Sequence, residues 1–228
     1  MKINKAHHVG LLVPSSDTVM EPDLWRRIPE NIHLHVARMY MESTTVAGEE
    51  KMLDDELEPA AHRIRSVEPE LVIFGCTSAA ALRGLDGDAD IANRVESIAG
   101  CKCITVIQAV FAELDKVNPE RLLLITPYLQ DVNERLRRTL VEAGQPVVES
   151  DCLGLDSDLD IAAVSPEEIK RFVSQTAKRT EPAPDCVFIS CTTFRAFEIA
   201  EELEKELGFP VITSNRSAYR ALWQYFGQ

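Results

Sequence analysis

The sequence predicts an α/β protein of two pseudo-symmetric lobes. Each lobe is expected to hold a roughly four-stranded, mostly parallel sheet flanked by helices, with an active site between the lobes. Three observations lead there. First, Leu71-Val72-Ile73-Phe74-Gly75-Cys76-Thr77-Ser78 has a twin in Cys186-Val187-Phe188-Ile189-Ser190-Cys191-Thr192-Thr193. In both, a short apolar run ends in a small residue and then Cys-Thr, the pattern of a buried strand passing into a helix. Second, residues 121–128 repeat the apolar-strand, proline, hydroxyl pattern of residues 9–15. Pro14 and Pro127 stand 113 residues apart (127 − 14), and Cys76 and Cys191 stand 115 apart (191 − 76). Two matches at nearly one spacing indicate a duplicated unit. Third, strand and helix patterns alternate throughout, as parallel sheets with right-handed crossovers require. The lobes are read as residues 1–117 and 118–228, divided at Val117-Asn118-Pro119, with the last helix of the first lobe free to pack on the second.

The elements follow in order. Residues 8–13 read as the first strand, and residues 14–18 as a turn into a helix that Ser16 or Asp17 can cap. Residues 32–38 alternate in polarity, which suits an edge strand. Residues 44–48 read as a loop. Residues 49–67 read as one helix, with Met52, Leu53, Leu57, Ala60, Ala61 and Ile64 at helical spacing. The Cys76 strand and turn come next, then a short helix over 90–99. A fourth strand is expected over 103–107, with a helix over 109–117. In the second half, the strand over 121–128 leads to a helix over 132–143, closed by Gly144. A strand covers 147–152. Ser165-Pro166-Glu167-Glu168 opens a helix with a capping-box start. The Cys191 strand precedes a helix over 194–207, closed by Gly208. The last strand lies at 210–213 and the last helix at 217–226.

Composition narrows the function. Hydrophobic residues make up 45% of the 228-residue chain, enough for a sizeable core. Lys and Arg number 24 against 37 Asp and Glu, a net charge of −13. That argues against nucleic acid and anionic membranes as partners. No apolar run approaches the ~18 residues of a membrane span. The first eight residues lack the apolar segment of an export signal. A cytoplasmic location with reduced cysteines is therefore expected.

Cys76 and Cys191 carry the expected chemistry. Each should sit where a strand ends, the place where open α/β sheets bind ligands. A helix N-terminus there favours a thiolate. Two facing thiols can move a proton on and off a carbon beside a carboxylate, because an unperturbed thiol titrates near about 8.5. Alternatively, one thiolate adds to an activated double bond, allows rotation and leaves. Either scheme needs donors for the developing charge. Thr77, Ser78, Thr192 and Thr193 with their backbone N–H groups, and Tyr128 at the matching strand end, suit that task. Cys101, Cys103, Cys152 and Cys186 read as packing residues. Cys101-Lys102-Cys103 lacks further ligands at metal spacing, and the five histidines show no ligand pattern, so no metal is expected. Arg83 and Arg195 follow the two cysteines and read as surface helix positions.

With these motifs in place, the chain resembles the aspartate/glutamate racemase superfamily. Residues 13–22, Gly75-Cys76-Thr77-Ser78, Thr126-Pro127-Tyr128, Ile189-Ser190-Cys191-Thr192 and Ser214-Asn215 look most like its maleate cis-trans isomerase and arylmalonate decarboxylase branch. The resemblance covers nearly the whole chain. It implies a cofactor-independent isomerase acting on a small carboxylic acid, and a homodimer or higher homo-oligomer. In it, Cys76 is the nucleophile or first acid/base and Cys191 its partner. Ser16, Asp17, Thr77, Ser78, Tyr128, Asp158, Thr192, Thr193 and Asn215 line the substrate. Arylmalonate decarboxylase fills only the second cysteine position, so a filled pair points to isomerisation or racemisation. Decarboxylation and a non-catalytic accessory role stand behind these. The branch usually has Asn where this chain has Asp17, and a looser match places the same change at Asp158. An ionised carboxylate cannot donate to a substrate carboxylate as an amide does. An ammonium, a hydroxyl or a basic neighbour is therefore expected to meet Asp17.

Overall fold

The computed structural model describes residues 6–227; residues 1–5, part of the stretch read for an export signal, and residue 228 lie outside it. The first sheet contains β1 (His7–Pro14), β2 (Ile32–Met39), β3 (Leu71–Phe74) and β4 (Lys102–Thr105), in the order β2-β1-β3-β4. The second contains β5 (Leu122–Thr126), β6 (Val147–Cys152), β7 (Cys186–Ile189) and β8 (Val211–Thr213), in the order β6-β5-β7-β8. The two orders are the same order, and every described pairing is parallel. The duplication read from the cysteine turns is thus present in the strand topology. The central strands β3, β5 and β7 are buried throughout. Their near-continuous apolar runs follow, because helices cover both faces of a parallel sheet.

The first half carries helices α1 (Met20–Trp25), α2 (Val46–Asp55), α3 (Leu57–Arg65), α4 (Thr77–Ala81), α5 (Gly84–Ala99) and α6 (Val106–Val117). The second carries α7 (Gln130–Glu142), α8 (Asp158–Ala163), α9 (Pro166–Arg179), a 3-10 turn (Arg195–Ile199), α10 (Ala200–Leu207) and α11 (Ser214–Phe226). Helices cross between the halves. The α6 helix packs on α11 and β8, and α4 and α5 pack on α7. The Thr139 hydroxyl donates to the Ala81 carbonyl (2.9 Å), and Arg220 pairs with Glu113.

Several boundaries differ from the sequence reading. The single helix expected over 49–67 is two helices, broken at Glu56, whose φ of −115° departs from helical geometry. The first of them begins inside the expected loop, because the Thr45 hydroxyl accepts from Gly48 N and caps it. The fourth strand stops at Thr105. There a capping box between Thr105 and Gln108 turns Val106 and Ile107 into helix. The helix before it starts at Gly84 rather than residue 90, with Gly84 and Gly87 tolerated in its first turn. Residues 158–163 form a helix that had no expectation attached. The helix expected over 194–207 divides into the 3-10 turn and α10, and α11 starts at Ser214 rather than 217. The Ser165–Glu168 capping box and the left-handed glycines at 144 and 208 are present as read.

Candidate active site

The parallel strands of both sheets deliver their carboxyl ends to one place between the lobes. Cys76 follows β3 and takes the N-cap position of α4, with φ −145° and ψ 108°. Cys191 follows β7 in a left-handed conformation, φ +96°. The two turns are tied to each other. The Thr77 hydroxyl donates to Ser214 Oγ (2.8 Å), and that same oxygen accepts the Cys191 N–H (3.1 Å). The Thr192 hydroxyl reaches back to the Gly75 carbonyl (3.4 Å). Both thiols are nearly closed off, with 4% and 6% of their surface exposed.

The expected thiolates are not the resting state. Burial pushes the Cys76 thiol well up, and the adjacent Glu49 carboxyl pushes the same way. Burial likewise raises Cys191, helped by Asp158 and Asp17. The Ala79 N–H offsets this at Cys76, and the Thr193 N–H and the Tyr128 hydroxyl offset it at Cys191. The short helix behind Cys76 is outweighed by desolvation, and no α-helix begins directly behind Cys191. Both groups therefore rest as thiols.

The other expected residues surround this pair. Ser78 Oγ lies 3.8 Å from Cys76 Sγ and donates to Glu49 Oε1 (2.5 Å). Tyr128 is buried, with its hydroxyl 3.1 Å from Ser190 Oγ. Asp158, at the start of α8, accepts from Ser16 Oγ (2.6 Å) and Thr44 Oγ1 (3.1 Å), both from the other lobe. Asp17 caps the entry to α1, its Oδ1 accepting from Val19 N (2.8 Å) and Met20 N (2.9 Å). Its Oδ2 has no hydrogen-bond partner, and Thr192, whose hydroxyl is directed to Gly75, lies close enough to pull the Asp17 carboxyl down. Burial raises the Asp17 carboxyl against the pull of those two N–H groups. Arg38 reaches the Asp17 backbone carbonyl (2.7 Å) and pairs with Glu21, so it does not answer the Asp17 side chain. Asn215 gives its amide N–H groups to Asp23 Oδ2 and the Thr192 carbonyl (2.9 Å each), leaving Oδ1 without a partner. Thr193 is buried beside Cys191. Arg83 and Arg195 pair with surface carboxylates, Glu50 and Asp54 for the first and Glu198 for the second.

One residue at the site had no place in the sequence reading. Glu49 is fully buried, and burial raises its carboxyl to about 8, with Asp158 and Asp131 adding to the effect. The signal was present: Glu49 precedes Met52 and Leu53 by three and four positions, on the face that α2 buries. Among the described residues, no group of three His, Cys, Asp or Glu is arranged to hold a metal ion. No described helix is long and apolar enough to cross a membrane.

Fold and site together define a class: duplicated α/β proteins whose equivalent strand-end turns, here each carrying a cysteine, are joined between the halves. Within it, this chain belongs to the arylmalonate decarboxylase family, whose model matches residues 9–228. It is 25% identical over 213 residues to the arylmalonate decarboxylase of Bordetella bronchiseptica, covering 92% of this chain and 87% of that one. It is 22% identical over 226 residues to the maleate isomerase of Geobacillus stearothermophilus, covering 93% and 89%. Among solved structures, it superposes with a TM-score of 0.88 on a mutant of the Nocardia farcinica maleate cis-trans isomerase with a covalently bound succinylcysteine intermediate. That match is at 19% identity and covers 97% of this chain and 93% of the other.

Proposed function

We propose that this protein is a cofactor-independent isomerase of a small carboxylic acid, with Cys76 and Cys191 acting from opposite sides of the substrate. The observation that carries this is the convergence of the two cysteine turns on Ser214. In the leading scheme, of the maleate-to-fumarate type, Cys76 enters the cycle as the thiolate, its proton having passed to solvent water, and its sulfur bonds to one alkene carbon. The π pair moves toward the neighbouring carboxylate, and Cys191 protonates the other carbon. The adduct rotates about what is now a single bond. Cys191 then removes the proton, and the C–S bond breaks to restore the double bond and the Cys76 thiolate. In this scheme the two turns at Thr77, Ser78, Thr192 and Thr193, with Tyr128, would supply donors to the developing enolate charge.

A second reading draws on Asp17 and Asp158. Maleate is a dianion, and two carboxyl side chains beside Cys191 disfavour it. An amino acid or hydroxy acid offers them an ammonium or hydroxyl instead. On such a substrate, one thiolate removes the α-proton while the opposite thiol delivers another, inverting the centre.

One experiment separates the schemes. Maleate and a set of chiral amino and hydroxy diacids are incubated in deuterated water with the wild type, Cys76→Ala and Cys191→Ala. Exchange at the α-carbon of a chiral acid with no adduct indicates racemisation, and a protein adduct by mass spectrometry indicates the covalent route. Absence of both, with Cys76 alkylated no faster than Cys152, sinks the enzymatic reading.

A further inference from the structure

We infer that Glu49 is a further substrate-binding residue, whose neutral carboxyl donates a hydrogen bond from Oε2 to a carboxylate oxygen held beside Cys76. The inference rests on the reading that the site between the two cysteine turns takes a carboxylic acid, and it names the group that receives the acid's charge.

Three observations point to it. The side chain has no exposed surface, yet Oε2 has no hydrogen-bond partner. A buried polar atom left unpaired is destabilising unless something else supplies a partner. Oε1 is already engaged, accepting the Ser78 hydroxyl. That bond orients the carboxyl and leaves its proton to Oε2. Finally, Ser78 lies against the Cys76 sulfur, and Glu49 is the first charged neighbour that sulfur feels. The Glu49 carboxyl therefore belongs to the thiol's own surroundings.

The groups around Glu49 keep its proton in place. Asp158 from α8 and Asp131 from α7 raise its carboxyl, and Arg135, also on α7, lowers it. Cys76 and Tyr128 lie close enough to feel its charge, and both rest protonated. With a value of about 8, the Glu49 carboxyl is mostly neutral at pH 7. A carboxylic acid kept neutral by burial is a strong donor to an oxyanion. Once ionised, the same group would repel a carboxylate. Glu49 thus lets a carboxyl-rich site accept an acid, and it does so only while protonated.

The test compares two alkylating probes at Cys76, anionic iodoacetate and neutral iodoacetamide, from pH 6 to 9.5. Both react through the same thiolate, so the ratio of their rates cancels thiolate formation and reads carboxylate acceptance. In the wild type the ratio should fall about tenfold between pH 7 and 9, following the protonated fraction of a group titrating near 8. Glu49→Gln retains an N–H donor and cannot ionise, so its ratio should stay flat near the wild-type value at pH 7. Calorimetric affinity for malonate over the same pH range should show the same fall and the same rescue. A wild-type ratio that is flat or rises with pH overturns the inference, as does an unchanged fall in Glu49→Gln. A site that never favours iodoacetate or binds malonate at any pH would defeat the carboxylic-acid reading itself. A pH-independent preference would defeat only the role of Glu49.

Discussion

The two cysteine turns descend from one pattern, yet the structure builds them differently. Cys76 caps a helix in ordinary extended geometry. Cys191 is held at φ +96° in a turn that reaches a 3-10 segment only at Arg195. The residues before them differ as well. A Cβ at Gly75 would stand 2.6 Å from Met20 Sδ, 2.8 Å from Val13 Cγ1 and 3.1 Å from the Leu12 carbonyl oxygen, so the first turn is pressed between α1 and its own sheet. Its counterpart Ser190 has room for a side chain and uses it to meet Tyr128. The carboxyls divide too, with Glu49 foremost at Cys76 and Asp158 and Asp17 at Cys191. Duplication supplied two equivalent positions, and later divergence gave each thiol its own electrostatic setting.

Removing the thiols should break the comparison most severely. Cys76→Ala and Cys191→Ala are each expected to lower turnover of the true substrate by on the order of 10³-fold, as loss of an acid/base group does. Steady-state rates should show whether the two losses are equal, as proton exchange requires, or larger at Cys76, as an adduct requires. Next comes Gly75→Ser, which copies the second turn into the first. It should cost about 1–3 kcal/mol by overpacking against Val13 and the Leu12 carbonyl, measured by denaturant unfolding. The reverse change, Ser190→Gly, should cost less.

Glu49 should impose a pH slope of its own on the Cys76 side, alongside the one that the raised Asp17 carboxyl brings to the Cys191 side. The folded Glu49 carboxyl lies above its unfolded value, so between about 4.5 and about 8 the folded chain holds a proton that the unfolded chain has lost. That contribution to stability therefore declines as pH rises across this window and is level above it. Thermal melts of Glu49→Gln should show a smaller decline over the same range. The smallest effect is expected at Cys191, where the left-handed backbone favours glycine. Cys191→Gly should be more stable than Cys191→Ala by about 1 kcal/mol, whereas the same pair of substitutions at Cys76 should favour alanine.

Much of this architecture was legible because it rests on short-range patterns. Apolar runs ending in Cys-Thr mark β3 and β7, and Ser165-Pro166 with Glu168 marks α9. The two equal strand orders follow from repeats of those patterns. What escaped depends on contacts between distant residues. Thr105 could end a strand or cap a helix, and the Gln108 side chain decides it. Glu49 entered the sequence reading only as the start of a helix, although its spacing put it in line with Met52 and Leu53. Only Ser78, 29 residues further on, shows that it belongs with Cys76. The protonation state of the thiols was misjudged for a related reason. A helix terminus is visible in sequence, but the desolvation that outweighs it exists only once both lobes have closed.

That closure has a consequence for traffic. Ser16 and Thr44 from one lobe both fasten onto Asp158 of the other, and the Thr44 N–H holds the Asp156 carbonyl at 2.8 Å. A molecule entering between the lobes on this side would have to displace those clasps. Arrival would then be timed by the breathing of the protein rather than by collision. Crowding the solution with more ligand could quicken it only up to the rate at which the halves part.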